Sequence, residues 1–344
     1  MATAPPMDAP GGPWQHAYVK TRANTRLHFV TAGPEDALPV VMVHGWPDLW
    51  FGWRHQIKAL SPKYRLIVPD MRGFGESSNP TESSHYGSKN ITSDLRDLLD
   101  ALDIEKAVFI GHDWGGFMVW RMCQYHPTRV LAVCGVCTPY SPPNKTYYDL
   151  STLVKIIPQF EYQQFLCNTA DAASYLDTSP RRFFTALYRR FNESAPKHER
   201  TGKFSDILRG VKDSTHWVYE RKSTLLSDAE LDYYVQQYTA SGFQSTCNFY
   251  ATRKLDFETE KGLPATLHLP ALYIGADKDT ILSPDLARNM PRVIPNLEMK
   301  LIKNAGHWVL WEQSEQVNAM LSEWLAKIDA AHGASVKRKP AARL

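Results

Sequence analysis

The chain has 344 residues, of which 43% are hydrophobic and 22% are charged, a composition typical of a soluble globular protein. Its formal net charge is only +3, with 39 Lys and Arg against 36 Asp and Glu, so nucleic acid is not expected as a partner. No apolar run is long enough to span a membrane, and five cysteines without a recognisable secretion signal predict reduced thiols.

The first 136 residues alternate short strands with helices. Strands are predicted at residues 16–20, 27–31, 40–43, 65–68, 107–110 and 130–136, and helices near 53–60, 91–102 and 116–125. The polar loop between the first two strands predicts a hairpin, whereas the later apolar strands are typical of a parallel sheet covered on both faces. The alternation predicts an α/β fold with a mostly parallel, doubly wound sheet, in which active residues follow the carboxyl ends of strands.

A helical insertion interrupts this alternation after residue 145. Helices are predicted at 152–157, 159–167, 180–191, 203–210 and 228–240, before strands return at 272–275 and 298–302 with helices near 284–290 and 315–328. We therefore expect a core in two parts (1–145 and 264–330), a helical lid (cap) domain at 146–263 and a flexible basic tail at 331–344. The cap holds half of the aromatic residues of the chain, which suits an apolar pocket with a few phenolic donors.

The turn at residues 111–116, of sequence GHDWGG, follows a predicted strand and begins a predicted helix, the arrangement of a nucleophile elbow. Its glycines permit a strained backbone that presents the central side chain to solvent. That central residue is Asp113. A carboxylate can displace a leaving group at an sp³ carbon to give an alkyl-enzyme ester, which water must then hydrolyse. A tight turn with a solvated acid is the alternative interpretation of this motif alone.

Two further motifs supply partners for Asp113 in the chain order expected after a nucleophile elbow. Asp277 and Asp279 follow the strand at 272–275, and His307 follows the strand at 298–302. We predict that His307 is the general base, that Asp279 orients it, and that Asp277 is a solvated turn residue.

Residues 44–47, of sequence HGWP, follow the strand at 40–43, where an oxyanion hole takes its first N–H group. We predict that the backbone N–H groups of Trp46 and Trp114 stabilise the tetrahedral intermediate of ester hydrolysis. Gly45 is expected to allow a close approach, and His44 is expected to be structural.

The motifs HGWP, DMRGFGESS, GHDWGG, GADKD and GHW, in this order, make the chain resemble the soluble epoxide hydrolases of the α/β-hydrolase fold over about residues 25–328. The resemblance implies a hydrolase without a cofactor or a metal, which opens epoxides to vicinal diols through an ester on Asp113. It also implies two proton-donating cap tyrosines, which the contexts FEYQQF and SGFQSTCNFY identify as Tyr162 and Tyr250. Four residues are expected to contact the substrate: Trp46, Pro47, Trp114 and Trp308.

Haloalkane and haloacid dehalogenases share the elbow, the acid and the histidine, so dehalogenation is the second interpretation. Epoxide opening creates an alkoxide that needs a proton donor, whereas a departing halide needs N–H donors around it. Many haloalkane dehalogenases carry Asn where Trp46 stands, and fluoroacetate dehalogenases typically carry Arg where Trp114 stands, so both positions argue against this interpretation. A scaffold retained as a non-enzymatic ligand receptor is a third interpretation, against which the complete triad argues.

The expected partners are a small apolar epoxide and water, with neither nucleic acid nor a membrane span. A cytoplasmic location is the simplest expectation. The last three residues, Ala342, Arg343 and Leu344, follow a basic stretch and resemble a variant of the Ser-Lys-Leu peroxisomal signal, with a disordered basic end as the alternative.

Overall fold

An eight-stranded sheet forms the centre of the fold. In this computed structural model the strands are β1 (Gln15–Lys20), β2 (Arg26–Ala32), β3 (Pro39–Val43), β4 (Arg65–Pro69), β5 (Ala107–His112), β6 (Val130–Val136), β7 (Ala271–Ala276) and β8 (Leu297–Ile302). Their order is β1-β2-β4-β3-β5-β6-β7-β8, in which β2 runs antiparallel to both neighbours and the other neighbouring strands are parallel. The predicted α/β fold with a mostly parallel sheet is confirmed.

The structure describes residues 12, 14–193 and 203–335, with side chains described up to residue 332. The C-terminal tripeptide Ala342, Arg343 and Leu344 lies outside these residues, so its role as a peroxisomal signal stays a prediction. Within the described part of the chain, no helix is both long enough and apolar enough to cross a membrane.

Helices pack against the sheet and fill the long segment between β6 and β7. They are α1 (Arg54–Leu60), α2 (Ser88–Ala101), α3 (Trp114–Tyr125), α4 (Leu150–Ile156), α5 (Gln163–Leu166), α6 (Thr169–Leu176), α7 (Pro180–Leu187), α8 (Phe204–Gly210), α9 (Asp228–Ser241), α10 (Gln244–Cys247), α11 (Arg253–Thr259), α12 (Val309–Glu312) and α13 (Ser314–Ser335). Helix α3 packs on β5 and β6 and against α2, whereas α1 packs against α13. From α4 to α11 the described residues form helices and no strand, over the segment for which a cap was predicted.

The helices between β6 and β7 differ in detail from the prediction. The helix expected at 180–191 ends at Leu187, because the Tyr188 backbone leaves the helical region and its hydroxyl donates a hydrogen bond to the Pro47 carbonyl at 2.7 Å. The helix expected at 159–167 is divided into the 3₁₀ turn Pro158–Phe160 and α5. Helices α6, α10 and α11 were not predicted, since their short apolar patterns do not extend over a full helical window.

Two elements of the second part of the core also differ. Instead of a helix near 284–290, the chain forms the 3₁₀ turns Pro284–Ala287 and Met290–Arg292. Pro291 lacks the N–H group that would continue a helix, so the two turns stay separate. Helix α13 continues to Ser335, which places residues 331–335 in the helix rather than in the predicted tail. This stretch contains two alanines, the residue with the highest helix propensity.

Helix α9 joins the segment between β6 and β7 to the sheet. It begins with a capping box, in which Ser227 and Glu230 each accept a hydrogen bond from the other's backbone N–H. Glu230 also accepts a hydrogen bond from Nε of Arg54 at 2.5 Å, and the Tyr234 hydroxyl donates to Oδ1 of Asp48 at 2.6 Å. These contacts tie α9 to α1 and to the loop after β3, directly beside the HGWP segment.

Candidate active site

Asp113 occupies the sharp turn between β5 and α3. Every residue of β5 is buried, so the sheet carries this turn to a fixed position. Asp113 adopts φ 51° and ψ −123°, and a sparsely populated backbone conformation of this kind costs a non-glycine residue about 1–3 kcal/mol. The Thr138 hydroxyl donates a hydrogen bond to the Asp113 carbonyl at 2.6 Å, which stabilises the strained turn. The turn therefore has the strained backbone predicted for residues 111–116, but the Asp113 side chain is buried and lines a cavity instead of facing solvent.

Two glycines let the backbone pack closely around Asp113. A Cβ atom on Gly45 would lie 2.4 Å from Cβ of Asp113, and a Cβ atom on Gly115 would lie 2.1 Å from the Val43 carbonyl oxygen. Both distances are far below van der Waals contact, so any side chain at either position would force the loop after β3 away from the elbow.

Backbone N–H groups hold the carboxylate of Asp113. The Trp46 N–H donates to Oδ1 at 2.8 Å, and the Trp114 N–H also hydrogen-bonds this carboxylate. Burial raises the pKa of Asp113, while the charge of His307 and these two N–H groups oppose that rise by favouring the ionised form. Of the two groups predicted as an oxyanion hole, the Trp46 N–H thus already contacts Oδ1, while Oδ2 faces Nε2 of His307.

His307 lies between two carboxylates. Its Nδ1 donates to Oδ2 of Asp279 at 2.8 Å, and its Nε2 lies 3.7 Å from Oδ2 of Asp113. The N–H groups of Ile281 and Leu282 both donate to Oδ1 of Asp279 at 2.9 Å, which fixes the acid that orients the imidazole. Asp277 instead pairs with the neighbouring Lys278 at 3.3 Å.

The charges around His307 favour its protonated form. Burial lowers the pKa of His307, but the charge and hydrogen bond of Asp279 and the charge of Asp113 outweigh burial and raise it to about 9. Asp279 is itself buried, and His307 and the two N–H donors lower its pKa in spite of that burial. Neutralising Asp113 would therefore remove part of what keeps His307 protonated.

Tyr162 and Tyr250 lie together opposite the elbow. Their side chains are 5% and 6% exposed, and their ring centroids are 5.8 Å apart. Tyr250 packs edge-on against Trp46 and Trp114, with centroid distances of 5.4 Å and 5.3 Å. Burial raises the pKa of both hydroxyls, so each is a neutral proton donor across the physiological pH range.

Two cavities meet at Asp113, Tyr162 and Tyr250. The larger has a volume of about 480 Å³ and the smaller about 40 Å³, and these three residues line both. The larger volume lies within the range of small-molecule sites.

The four predicted substrate contacts line different cavities. Trp114 lines the larger cavity, and Trp46, Pro47 and Trp308 line the smaller one together with His307.

Two residues near the triad were missed by sequence analysis. His112 donates from Nε2 to the His307 carbonyl at 2.9 Å, and burial together with the charge of His307 lowers the pKa of His112 to about 3, so it stays neutral. Glu312 accepts the N–H of Gly306 at 3.1 Å and steadies the turn before His307. His112 precedes Asp113 in the sequence, but no local pattern marks its bond to His307 or the contact of Glu312.

His44 serves the fold, as expected. Its Nε2 accepts the Met71 N–H at 3.0 Å, and its Nδ1 donates to the Gly45 carbonyl at 2.8 Å. Burial lowers its pKa, which keeps the ring neutral in this bridging position. It thereby connects the loop after β3 to the loop after β4.

Comparison with known proteins assigns the family. The alpha/beta hydrolase fold family matches residues 39–314, which is most of the chain. Epoxide hydrolase srdG of Neurospora crassa is 31% identical over 327 residues, covering 90% of this chain and 95% of that protein. The chain belongs to the epoxide hydrolases of the α/β-hydrolase fold.

Further members of the epoxide hydrolase family match the chain in sequence and in structure. Bifunctional epoxide hydrolase 2 of Mus musculus is 34% identical over 314 residues, covering 90% of this chain and 55% of that protein. The chain thus spans about half the length of the first curated relatives it matches. The crystal structure of Epoxide Hydrolase A from Mycobacterium thermoresistibile is 30% identical, with a TM-score of 0.80, and covers 91% of this chain and 98% of that one.

The position of His307 between two carboxylates predicts how its pKa responds to substitution. We expect the imidazole to titrate near pH 9, and Asp113→Asn to lower this pKa because the imidazolium loses a neighbouring negative charge. Since the folded pKa exceeds the unfolded value of about 6.5, the interaction stabilises the fold fully below pH 6.5 and is lost as the pH rises through 9. NMR titration of the ring nitrogens measures the pKa.

Asp277→Asn is the matched control. Asp277 lies in the same loop as Asp279, but its carboxylate pairs with Lys278 and not with His307. It should leave the pKa of His307 unchanged. Equal pKa values in the wild type and in Asp113→Asn would contradict the assigned charge interaction.

Proposed function

We propose that this protein hydrolyses epoxides to vicinal diols through a covalent ester on Asp113. The observation that carries the proposal is the arrangement of one cavity wall, where the buried nucleophile Asp113 and the two neutral hydroxyls of Tyr162 and Tyr250 line the same space. A nucleophile and a pair of acids that reach one small molecule together suit the opening of a strained ether ring. Membership of the epoxide hydrolase family supports the same reaction.

In the first step, the Asp113 carboxylate attacks one epoxide carbon, and the bond from that carbon to the ring oxygen breaks. Oδ2 is the attacking oxygen in this proposal, because Oδ1 already accepts the Trp46 N–H. The hydroxyls of Tyr162 and Tyr250 hydrogen-bond the ring oxygen, and one of them transfers its proton to the alkoxide as it forms. The product of this step is a hydroxyalkyl ester of Asp113.

In the second step, water hydrolyses the ester. Esterification removes the negative charge of Asp113, which lowers the pKa of His307. This residue then gives up its proton, which restores the tyrosine hydroxyl that was deprotonated in the first step, and becomes a base. It then takes a proton from a water molecule that attacks the ester carbonyl carbon. Negative charge develops on Oδ1, which the N–H of Trp46 already contacts. Collapse of the intermediate breaks the bond between the carbonyl carbon and Oδ2, and the departing alkoxide takes the proton of the hydroxyl that water added. The diol leaves, and Asp113 is again a carboxylate beside a protonated His307.

The cavities favour an apolar substrate with arms of unequal size. The smaller cavity is lined mainly by apolar and aromatic side chains, among them Leu187, Phe204 and Ile281. Its volume of about 40 Å³ admits only a short substituent, whereas the cavity of about 480 Å³ on the other side admits a long one.

We propose a cytoplasmic location for this reaction, with the epoxide and water as the only small-molecule partners it requires.

Dehalogenation through the same triad is the second candidate, and the indole groups argue against it. A departing halide needs N–H donors that point into the cavity. The indole N–H of Trp46 donates to the Thr246 hydroxyl at 3.1 Å, and the Trp114 side chain hydrogen-bonds Tyr250. Both indoles are therefore engaged within the protein, and the groups left to receive a leaving group are the tyrosine hydroxyls.

Separate incubation with an aryl epoxide and with a chloroalkane tests the proposed reaction. We expect diol from the epoxide and no chloride from the chloroalkane, because the site offers proton donors rather than an anion cradle. Release of chloride without diol would favour the dehalogenase, and the absence of both products would favour a ligand receptor.

The tyrosine pair gives a prediction about the first step. Tyr162→Phe and Tyr250→Phe should each slow ester formation by about 10- to 1000-fold, and the double variant should be slower still, because an alkoxide must be protonated or strongly hydrogen-bonded as it leaves. Single-turnover kinetics with excess enzyme measures this step. Tyr175→Phe is the matched control, since it removes a hydroxyl from a cap tyrosine that does not line either cavity. Unchanged epoxide turnover in the double variant would exclude the pair from the mechanism.

His307 gives a prediction about the second step. His307→Gln should still open the epoxide but should accumulate the alkyl-enzyme, because loss of a general base costs about 100- to 10000-fold in the hydrolytic step. Intact-protein mass should rise by the mass of the substrate, and peptide mapping should place the adduct on residues 111–116. Asp113→Ala should form no adduct. A His307→Gln protein without adduct, while the wild type makes diol, would contradict the covalent route.

A further inference from the structure

Three side chains far from the active site come together at the edge of the sheet. His16 lies on β1, His28 lies on β2 and Glu76 lies in the loop after β4. One possible ligand atom from each of the three lies within 4.8 Å of the other two. Sequence analysis predicted no metal site here, because the three residues are distant in the chain and form no motif with ligand spacing.

The buried histidine of this cluster has a fixed orientation. Nδ1 of His28 hydrogen-bonds Oδ2 of Asp70 at 2.7 Å, and both side chains are almost fully buried. Asp70 is fixed in turn, because its Oδ1 accepts the Trp50 backbone N–H at 2.9 Å and its own N–H donates to the His28 carbonyl at 3.0 Å. A carboxylate that holds one nitrogen of a histidine and leaves the other free to ligate is the usual outer partner of a metal-bound imidazole.

The free nitrogen of His28 faces the second histidine. Nε2 of His28 lies 2.9 Å from Nδ1 of His16, and the two ring planes are 25° apart. The antiparallel register pairs His28 with Tyr18, so His16 is its diagonal neighbour on the same face of the sheet. The Tyr18 hydroxyl donates a hydrogen bond to Glu76 and holds this carboxylate beside the two rings. His16 is exposed, so an ion can reach the cluster from solvent.

We propose that His16, His28 and Glu76 form a binding site for a divalent transition-metal ion such as Zn²⁺. Two imidazole nitrogens and one carboxylate oxygen are a ligand set that zinc accepts, with water in the fourth position. Among first-row divalent ions, ligands of this kind bind Cu²⁺ and Zn²⁺ more tightly than Mn²⁺. Ca²⁺ and Mg²⁺ prefer oxygen ligands, so the two histidines do not favour them.

Binding of an ion requires movement of the His16 and Glu76 side chains. A tetrahedral zinc ion separates two ligand atoms by about 3.3 Å, so the His16 ring must move away from its present contact with His28 at 2.9 Å. The three ligand atoms now lie within 4.8 Å of one another, so the Glu76 carboxylate must also approach the rings. The ion then replaces the hydrogen bond between the two rings. Strands β2, β4 and β3 separate β1 from β5, which carries Asp113, so this site is distinct from the proposed epoxide site and independent of it.

Calorimetric titration of the metal-free protein with Zn²⁺ tests this site. We expect one ion per chain in the wild type, and an affinity at least about 10-fold weaker in His16→Ala and in Glu76→Gln, since each variant removes one ligand. His268→Ala is the matched control, because this exposed histidine lies outside the cluster and its loss should leave the affinity unchanged. Titration with Co²⁺ should give visible absorption bands in the wild type that His16→Ala lacks.

Thermal unfolding gives a second readout in the same samples. Zn²⁺ should raise the melting temperature of the wild type and of His268→Ala but not that of His16→Ala, because an ion stabilises only the folded state that binds it. Absence of one-to-one binding in the wild type, or equal affinity in the wild type and His16→Ala, would overturn the proposal and leave a hydrogen-bonded histidine pair. Epoxide turnover should be the same in the wild type and His16→Ala, so failure of the metal site and failure of the proposed activity are distinguishable.

Discussion

The hydrogen bond from the Trp46 backbone N–H to Oδ1 of Asp113 is the contact on which the geometry of the site depends. It exists because Gly45 has no side chain, which lets the loop after β3 approach the elbow. Tyr188, in the segment between β6 and β7, also contacts this loop: its hydroxyl donates a hydrogen bond to the Pro47 carbonyl. The segment that contributes residues to the cavity wall therefore also fixes the N–H group that orients the Asp113 carboxylate, so the shape of the cavity and the orientation of this carboxylate depend on the same contacts.

A balance of charge follows from this placement. Asp279 and Asp113 flank His307 and raise its pKa, while the charge of His307 and the N–H groups around Asp113 offset only part of the effect of burial on the Asp113 carboxylate. Alkylation of Asp113 changes only one of these charges. In the proposed mechanism, this single change converts His307 from a protonated partner of Asp113 into the base that activates water for ester hydrolysis. Electrostatics therefore sets the order of the two steps, and no movement of the main chain is needed.

Local patterns predicted the parts of the site that lie at strand ends. Asp113 and Asp279 follow buried strands, and His307 follows a strand in which apolar and charged residues alternate. Strand periodicity and turn glycines are signals contained in a few consecutive residues. The two cap tyrosines were predicted as proton donors only through the family resemblance, because helical periodicity does not distinguish a proton donor from a packed ring. The hydrogen bond between His112 and the His307 carbonyl joins residues 195 positions apart and has no local signal. The short cap helices were missed for the related reason that packing against neighbouring elements, rather than their own sequence pattern, determines them.

Isotope labelling tests whether Asp113 supplies the new oxygen of the diol. Excess enzyme should convert an epoxide in H₂¹⁸O in a single turnover, and mass spectrometry should locate the label in the diol and in the peptide that contains Asp113. The covalent route predicts an unlabelled diol from the first turnover and ¹⁸O in the Asp113 carboxylate. A first-turnover diol that carries ¹⁸O, with an unlabelled Asp113, would show that water attacks the epoxide directly and would contradict the account.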